Sequence, residues 1–132
     1  MAQSRVQVLP KTRATVYLGR ADNLLKIVEL AEREANPDGV ATNAVQAAIA
    51  YADAYTIYLR SERSRGQDHH EVLTLIARCK APNAGEVGSL LSRILDRKGE
   101  VEYEDRAVTM KVAIEIAKRA RVLGGQVHSI VD

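Results

Sequence analysis

Apolar residues recur along this chain at intervals of three and four. Between Lys11 and Ala35, the residues Leu18, Ala21, Leu25, Val28 and Ala31 fall on one stripe, the spacing that gathers side chains on one face of an α-helix. The Asn36-Pro37-Asp38-Gly39 sequence that follows carries turn chemistry and is expected to end this segment. A second helix is expected from about Ala41 to Arg63, with Val45, Ala48, Ile49, Ala52, Tyr55 and Leu59 on one apolar face. A shorter third segment, about His69 to Lys80, would bury Val72, Leu73, Ile76 and Cys79. The fourth opens at Asn83, which stands three residues before Glu86 as in a capping box. It carries Val87, Leu90, Leu91, Ile94 and Leu95 and is expected to stop at Gly99. The fifth, Glu104 to Gly125, has two apolar stripes: Ala107, Met110, Ile114 and Ala117, and then Val108, Val112, Ile116 and Leu123. A helix apolar on two sides is expected at the centre of a bundle or at a contact with a second subunit. No strand-like alternation, internal repeat or low-complexity tract interrupts this pattern. The expectation is an all-α, up-and-down bundle of four to five helices, forming a single domain over residues 1–132.

Composition narrows the chemistry. Charged residues make up 27 % of the chain and the net charge is only +2, so an anion site must be local rather than part of a global basic field. The core must be built from Ala, Leu, Ile and Val, because the chain has no Trp or Phe and only five Tyr. One cysteine, Cys79, excludes an intrachain disulfide and a cysteine-built zinc site. Its helical spacing reads as a core or boundary thiol. The N-terminal stretch lacks the apolar core of a signal peptide and no segment has the length of a membrane span, so a cytoplasmic setting without membrane contact is expected.

The unusual stretch is residues 60–73, RSERSRGQDHHEVL. Arg60, Arg63 and Arg65 would close the second helix, and Gly66 permits a turn. Asp68 reads as the N-cap of the third helix, with Glu71 completing a box-like pattern. His69 and His70 then fall in the first helical turn, where the helix dipole favours a neutral imidazole while Asp68 and Glu71 oppose it. A neutral imidazole suits a general base, and guanidiniums are planar, bidentate phosphate donors. The same residues also fit a plain solvated helix junction. Asp53, the one charge in its apolar helix, either faces water or pairs inside the bundle. His128 reads as incidental. The clusters Arg93, Arg97, Lys98 and Lys118, Arg119, Arg121 read as solvated helix faces, which would widen an electrostatic track if they face the histidines. There is no glycine-rich phosphate loop and no His-x-x-x-His pair. No metal site is expected, since adjacent helical residues such as His69 and His70 point about 100° apart.

An alanine-rich helix running into an arginine, a polar residue and a histidine resembles the HEPN superfamily of nucleotide-binding helical domains. Arg63, followed by Ser64, is separated from His69 by residues 64–68, and Arg65 from His70 by residues 66–69. Both registers fit the motif; Ser64 favours the first. The resemblance covers roughly residues 40 to 123, including Tyr103 ahead of the last helix. It implies a homodimer whose Arg/His motifs meet in a cleft, and a metal-independent endoribonuclease of the toxin type that needs no cofactor. The implied partners are RNA and an antitoxin such as a nucleotidyltransferase. Arg63, His69 and Ser64 would then be catalytic. Arg65, His70 and Arg60 would form the alternative register or bind RNA, and Asp53 and Asp68 would stand behind them. Where some toxin members carry a tyrosine two residues after the histidine, this chain has Glu71. The competing reading is a non-catalytic module that binds a nucleotide, RNA or a protein.

Overall fold

The turn at Asn36 opens a helix as well as closing one. The Asn36 side-chain oxygen accepts a hydrogen bond from the Gly39 N–H at 3.0 Å, and Pro37 occupies the first helical position. Both features initiate helices, since they satisfy or dispense with N–H groups that have no partner inside the first turn. The second helix therefore starts four residues earlier than its apolar stripe suggests. The preceding helix ends through Ala35, which adopts a left-handed φ of 52°, and the Asn36 N–H returns to the Ala31 carbonyl at 2.9 Å.

The computed structural model describes residues 6–65, 69–102 and 107–131. Within them the chain forms β1 (Val6–Val8), a 3₁₀ turn (Lys11–Arg13), α1 (Ala14–Arg33), α2 (Pro37–Arg60), β2 (Glu62–Ser64), α3 (His69–Arg78), α4 (Ala84–Glu102) and α5 (Met110–Val131). The five helices make an all-α, up-and-down bundle. Two helices outrun the glycines expected to stop them: α4 passes Gly99, and α5 passes Gly124 and Gly125. A mid-helix glycine costs only about 1 kcal/mol relative to alanine, so packing of the following turns decides. The expected turn at Gly66, the cap at Asp68 and Tyr103 lie outside the described residues.

The central helix is α2, not α5. It packs against α1, α3, α4 and α5, and every residue from Tyr51 to Ile57 is buried. Its alanines make this possible, because a side chain of one carbon lets neighbouring helices approach on all sides. The larger side chains of the core, Ile57, Ile76, Leu91, Ile94, Ile116 and Leu123, fill the layers around it. Each contributes on the order of 1.5–3 kcal/mol of apolar burial. α5 instead buries a single face: Ala113, Ile116, Ala117, Ala120, Leu123, Gly124, Val127 and Val131. Ile114, from one of its two expected stripes, is 46 % exposed. At Gly124 the absence of a side chain is required. A Cβ there would lie 2.8 Å from the Tyr51 ring.

Two short strands add to the helices. Ser61 caps α2 in the left-handed conformation, φ 55° and ψ 32°, which turns the chain out of the helix. β2 then pairs antiparallel with β1, in the register Val6 to Ser64, Gln7 to Arg63 and Val8 to Glu62. The expectation that α2 would carry the chain to Arg63 is thus corrected: the helix ends at Arg60, and Arg63 stands on a strand. Three residues are too few for alternation to register in a sequence. Among the described residues no helix is long and apolar enough to cross a membrane.

Candidate functional site

The β2 strand and the first turn of α3 lie against one face of α2. Gln46, Ile49 and Asp53 share that face at helical spacing, and they line a pocket of about 270 Å³ together with Arg63, Ser64, Arg65 and His69. Val72 of α3 and Leu91 and Leu95 of α4 supply its apolar wall, and Lys98 of α4 joins its lining. Four of the residues singled out in the RSERSRGQDHH stretch, and Asp53, therefore converge. The volume falls just below the usual small-ligand range of about 300–1,000 Å³, so the space suits one small unit rather than a folded polymer.

Arg63 is held from three directions. Its Nε donates to Asp53 Oδ2 at 3.1 Å, its Nη1 donates to Gln7 Oε1 at 3.0 Å, and its guanidinium carbon lies 5.2 Å from the centre of the Tyr17 ring. The strand register explains the second contact, since paired residues on one face of a ribbon stand side by side. Asp53 is only 5 % exposed. Burial pushes its carboxyl up to about 6, although Arg63, and more weakly Arg20, pull it back toward the charged form. Of the two readings open for Asp53, pairing inside the bundle holds.

Ser64 is buried, and its hydroxyl has no hydrogen-bond partner among the described residues. A buried hydroxyl without a partner is costly, by about 1–3 kcal/mol, so its place on the pocket wall marks the site as chemically unfinished. Arg65, at the end of β2, is exposed, and no described residue pairs with its guanidinium. His69, half-buried, is the first residue of α3.

The other candidates fall elsewhere. His70 is exposed on α3 and does not line the pocket. Arg60 pairs with Glu62 at 2.8 Å and reaches the Arg78 carbonyl at 3.3 Å, outside the pocket. Asp68 lies outside the described residues. Cys79 donates to the Leu75 carbonyl, and burial pushes its thiol up to about 11, as befits a structural thiol. Three members of the basic clusters form ion pairs within the bundle. Arg97 and Arg119 both pair with Glu115, and Arg121 pairs with Glu32. Lys98 reaches the pocket, and it continues the Leu91–Leu95 stripe by one step.

His128 is not incidental. Its Nε2 lies 2.9 and 3.1 Å from the two Asp22 carboxylate oxygens, and Tyr51 donates its hydroxyl to Oδ1 at 2.5 Å. This cluster ties α1, α2 and α5 together. Burial, with the Asp22 hydrogen bond and charge, raises the Tyr51 phenol further above its ordinary value. A second tie joins α2, α4 and α5. Tyr55 donates to Asn83 Oδ1 at 2.6 Å, while Asn83 Nδ2 donates to the Gln126 carbonyl at 3.0 Å. Asn83 thus spends its side chain across the bundle.

Among the described residues there is no group of three or more His, Cys, Asp or Glu that could hold a metal ion. The chain matches no protein-family model, no curated protein and no solved structure.

Proposed function

We propose that the pocket at the junction of β2 and α3 is the active site of a metal-independent endoribonuclease of the HEPN type. The observation that carries this reading is convergence: Arg63, Ser64, Arg65 and His69 line one small pocket. Arginines splayed over a surface would serve only loose binding. In this reading His69 takes the proton of a ribose 2′-hydroxyl, or gives one to the leaving oxygen. The 2′-oxygen attacks the neighbouring phosphorus, the bond to the 5′-oxygen breaks, and that oxygen departs with a proton. Arginine N–H groups hold the phosphate as its charge grows, and the Ser64 hydroxyl orients it. A two-fold dimer is part of the proposal, with the outward Ile114 and Val122 of α5 available to a second copy. Light scattering at tens of micromolar that finds only monomer removes that part.

A second reading has its own support. Two donors of Arg63 are already engaged, and His69 has no orienting hydrogen bond among the described residues. A non-catalytic module that binds a nucleotide or RNA fits those facts too. Single-turnover cleavage of a labelled RNA, run with and without chelator, decides between them. The ribonuclease reading expects cleavage that chelation leaves unchanged and that His69→Ala abolishes. Loss of activity in chelator with return in magnesium removes the metal-independent mechanism. Binding with no cleavage at any protein concentration leaves the module.

A further inference from the structure

The two arginines of the pocket are not equivalent. Arg63 faces a buried carboxylate, an amide and an aromatic ring, and its charge is balanced by Asp53 at 3.1 Å. Arg65, two residues on, is exposed and has no described partner. Arg63 turns toward Gln7 and Asp53, while Ser64 brings an unpartnered buried hydroxyl to the pocket. Lys98 comes to the same pocket from a different helix.

We infer that Arg65, assisted by Lys98 and the Ser64 hydroxyl, carries the phosphate contact of this pocket, and that Arg63 is a positioning residue locked to Asp53 and Gln7. This rests on the proposed ribonuclease reading for its ligand, a single-stranded RNA phosphate, though the division of labour holds for any phosphate bound here. The physical reason is charge. The Asp53–Arg63 pair adds no net charge to the pocket, so an incoming phosphate gains little from it. Pulling Arg63 away from Asp53 would also leave a buried carboxylate without its partner, a heavy loss. Arg65 makes its contact without breaking one to any described residue. Its guanidinium keeps the planar fork that matches two phosphate oxygens. The role of Arg63 is to fix the strand from which Ser64 and Arg65 project.

The test counts charges. Binding of a short fluorescent single-stranded RNA is followed by anisotropy between about 50 and 200 mM salt, where each phosphate neutralised adds about 0.7 to the slope of log K against log salt. Arg65→Gln is expected to lower that slope by about 0.7 and weaken binding, and Lys98→Gln to weaken binding to a smaller extent. Arg63→Gln is expected to leave the slope unchanged even where binding weakens, with Arg63→Lys restoring part of the affinity. A slope that falls for Arg63→Gln and stays for Arg65→Gln overturns the inference. Should Arg63→Gln fail to fold, the wild-type protein answers instead. In nitrogen-15 spectra titrated with inorganic phosphate, the Arg65 Nε signal should shift while that of Arg63 stays. The reverse pattern, or no shift of Arg65, overturns the assignment. An RNA that binds through Arg65 but is never cleaved removes the ribonuclease and keeps the assignment. Cleavage with the charge counted at Arg63 removes the assignment alone.

Discussion

Two aspartates sit in the polar seams between these helices, and the bundle uses them differently. Asp22 lies between α1, α2 and α5, half-exposed, with both oxygens taken by Tyr51 and His128. Asp53 is buried elsewhere on α2 and holds one arginine beside open volume. The first cluster is closed: its carboxylate is matched by donors, and Gly124 lets α5 settle onto the Tyr51 ring. The second is open. Among the described residues its serine hydroxyl and its second arginine have no partner, and a histidine stands at the rim. A closed polar cluster aligns helices. An open one, costly to keep, points to a ligand that completes it.

The sharpest break between the two seams is chemical. His69→Ala should lower single-turnover cleavage by about 10²–10⁴-fold, while anisotropy shows RNA bound nearly as before. His70→Ala, outside the pocket, should keep most of the activity. If His70→Ala is the dead variant, the arginine–histidine register of the proposal is wrong.

Next comes the pH response of Asp53. Its folded carboxyl, pushed up to about 6, holds a proton more tightly than the unfolded chain does, whose value is near 3.8. Stability from this group is therefore full below pH 3.8 and declines as pH rises toward about 6. At about 1.4 kcal/mol for each pH step of one across that window, the decline is on the order of 2–3 kcal/mol. Urea denaturation across the same window should show the slope in wild type and a flatter profile in Asp53→Asn. An unchanged profile in the variant would place the titrating group elsewhere.

The closed seam should break by crowding. Gly124→Ala puts a methyl against Tyr51, and overpacking of this kind costs about 1–3 kcal/mol. Denaturation midpoints should fall, yet cleavage per folded molecule should not change. Smallest of all is His128→Asn. A half-exposed polar pair of this type is worth at most about 1 kcal/mol, so calorimetry should register a minor shift and, on the proposed reading, the cleavage assay none. A large loss of cleavage from either variant would join the two seams into one functional unit.

Much of the bundle was legible from the chain. The stripes through Leu18, Val28, Leu91 and Ile94 mark buried faces because each helix there is apolar on one side and polar on the other. α2 defeated that logic. Its stripe from Val45 to Leu59 marked one apolar face, whereas the small size of its alanines lets the other helices pack around α2 on several sides. The site was legible where it is local. Arg63, Ser64, Arg65 and His69 are close in sequence, and they line one pocket. Lys98 was legible in part: its basic cluster was a candidate to widen the site, and it stands one step beyond Leu95 on the α4 stripe. Gln7 and His128 were not legible. Gln7 meets Arg63 56 positions away and His128 meets Asp22 106 positions away. Such contacts exist only after the helices have chosen their neighbours.

The β1–β2 ribbon has a consequence for occupancy. It is three residues per strand, and a lone pair of strands is marginal in water. Opening it would remove Gln7 from Arg63, so under the proposed reading only the fraction of molecules with the ribbon closed would hold the competent pocket. Apparent affinity then scales with that fraction: a ribbon closed half the time doubles the apparent Kd relative to one always closed. Cross-linking β1 to β2, or lengthening their pairing, would raise affinity without touching any residue that meets the ligand.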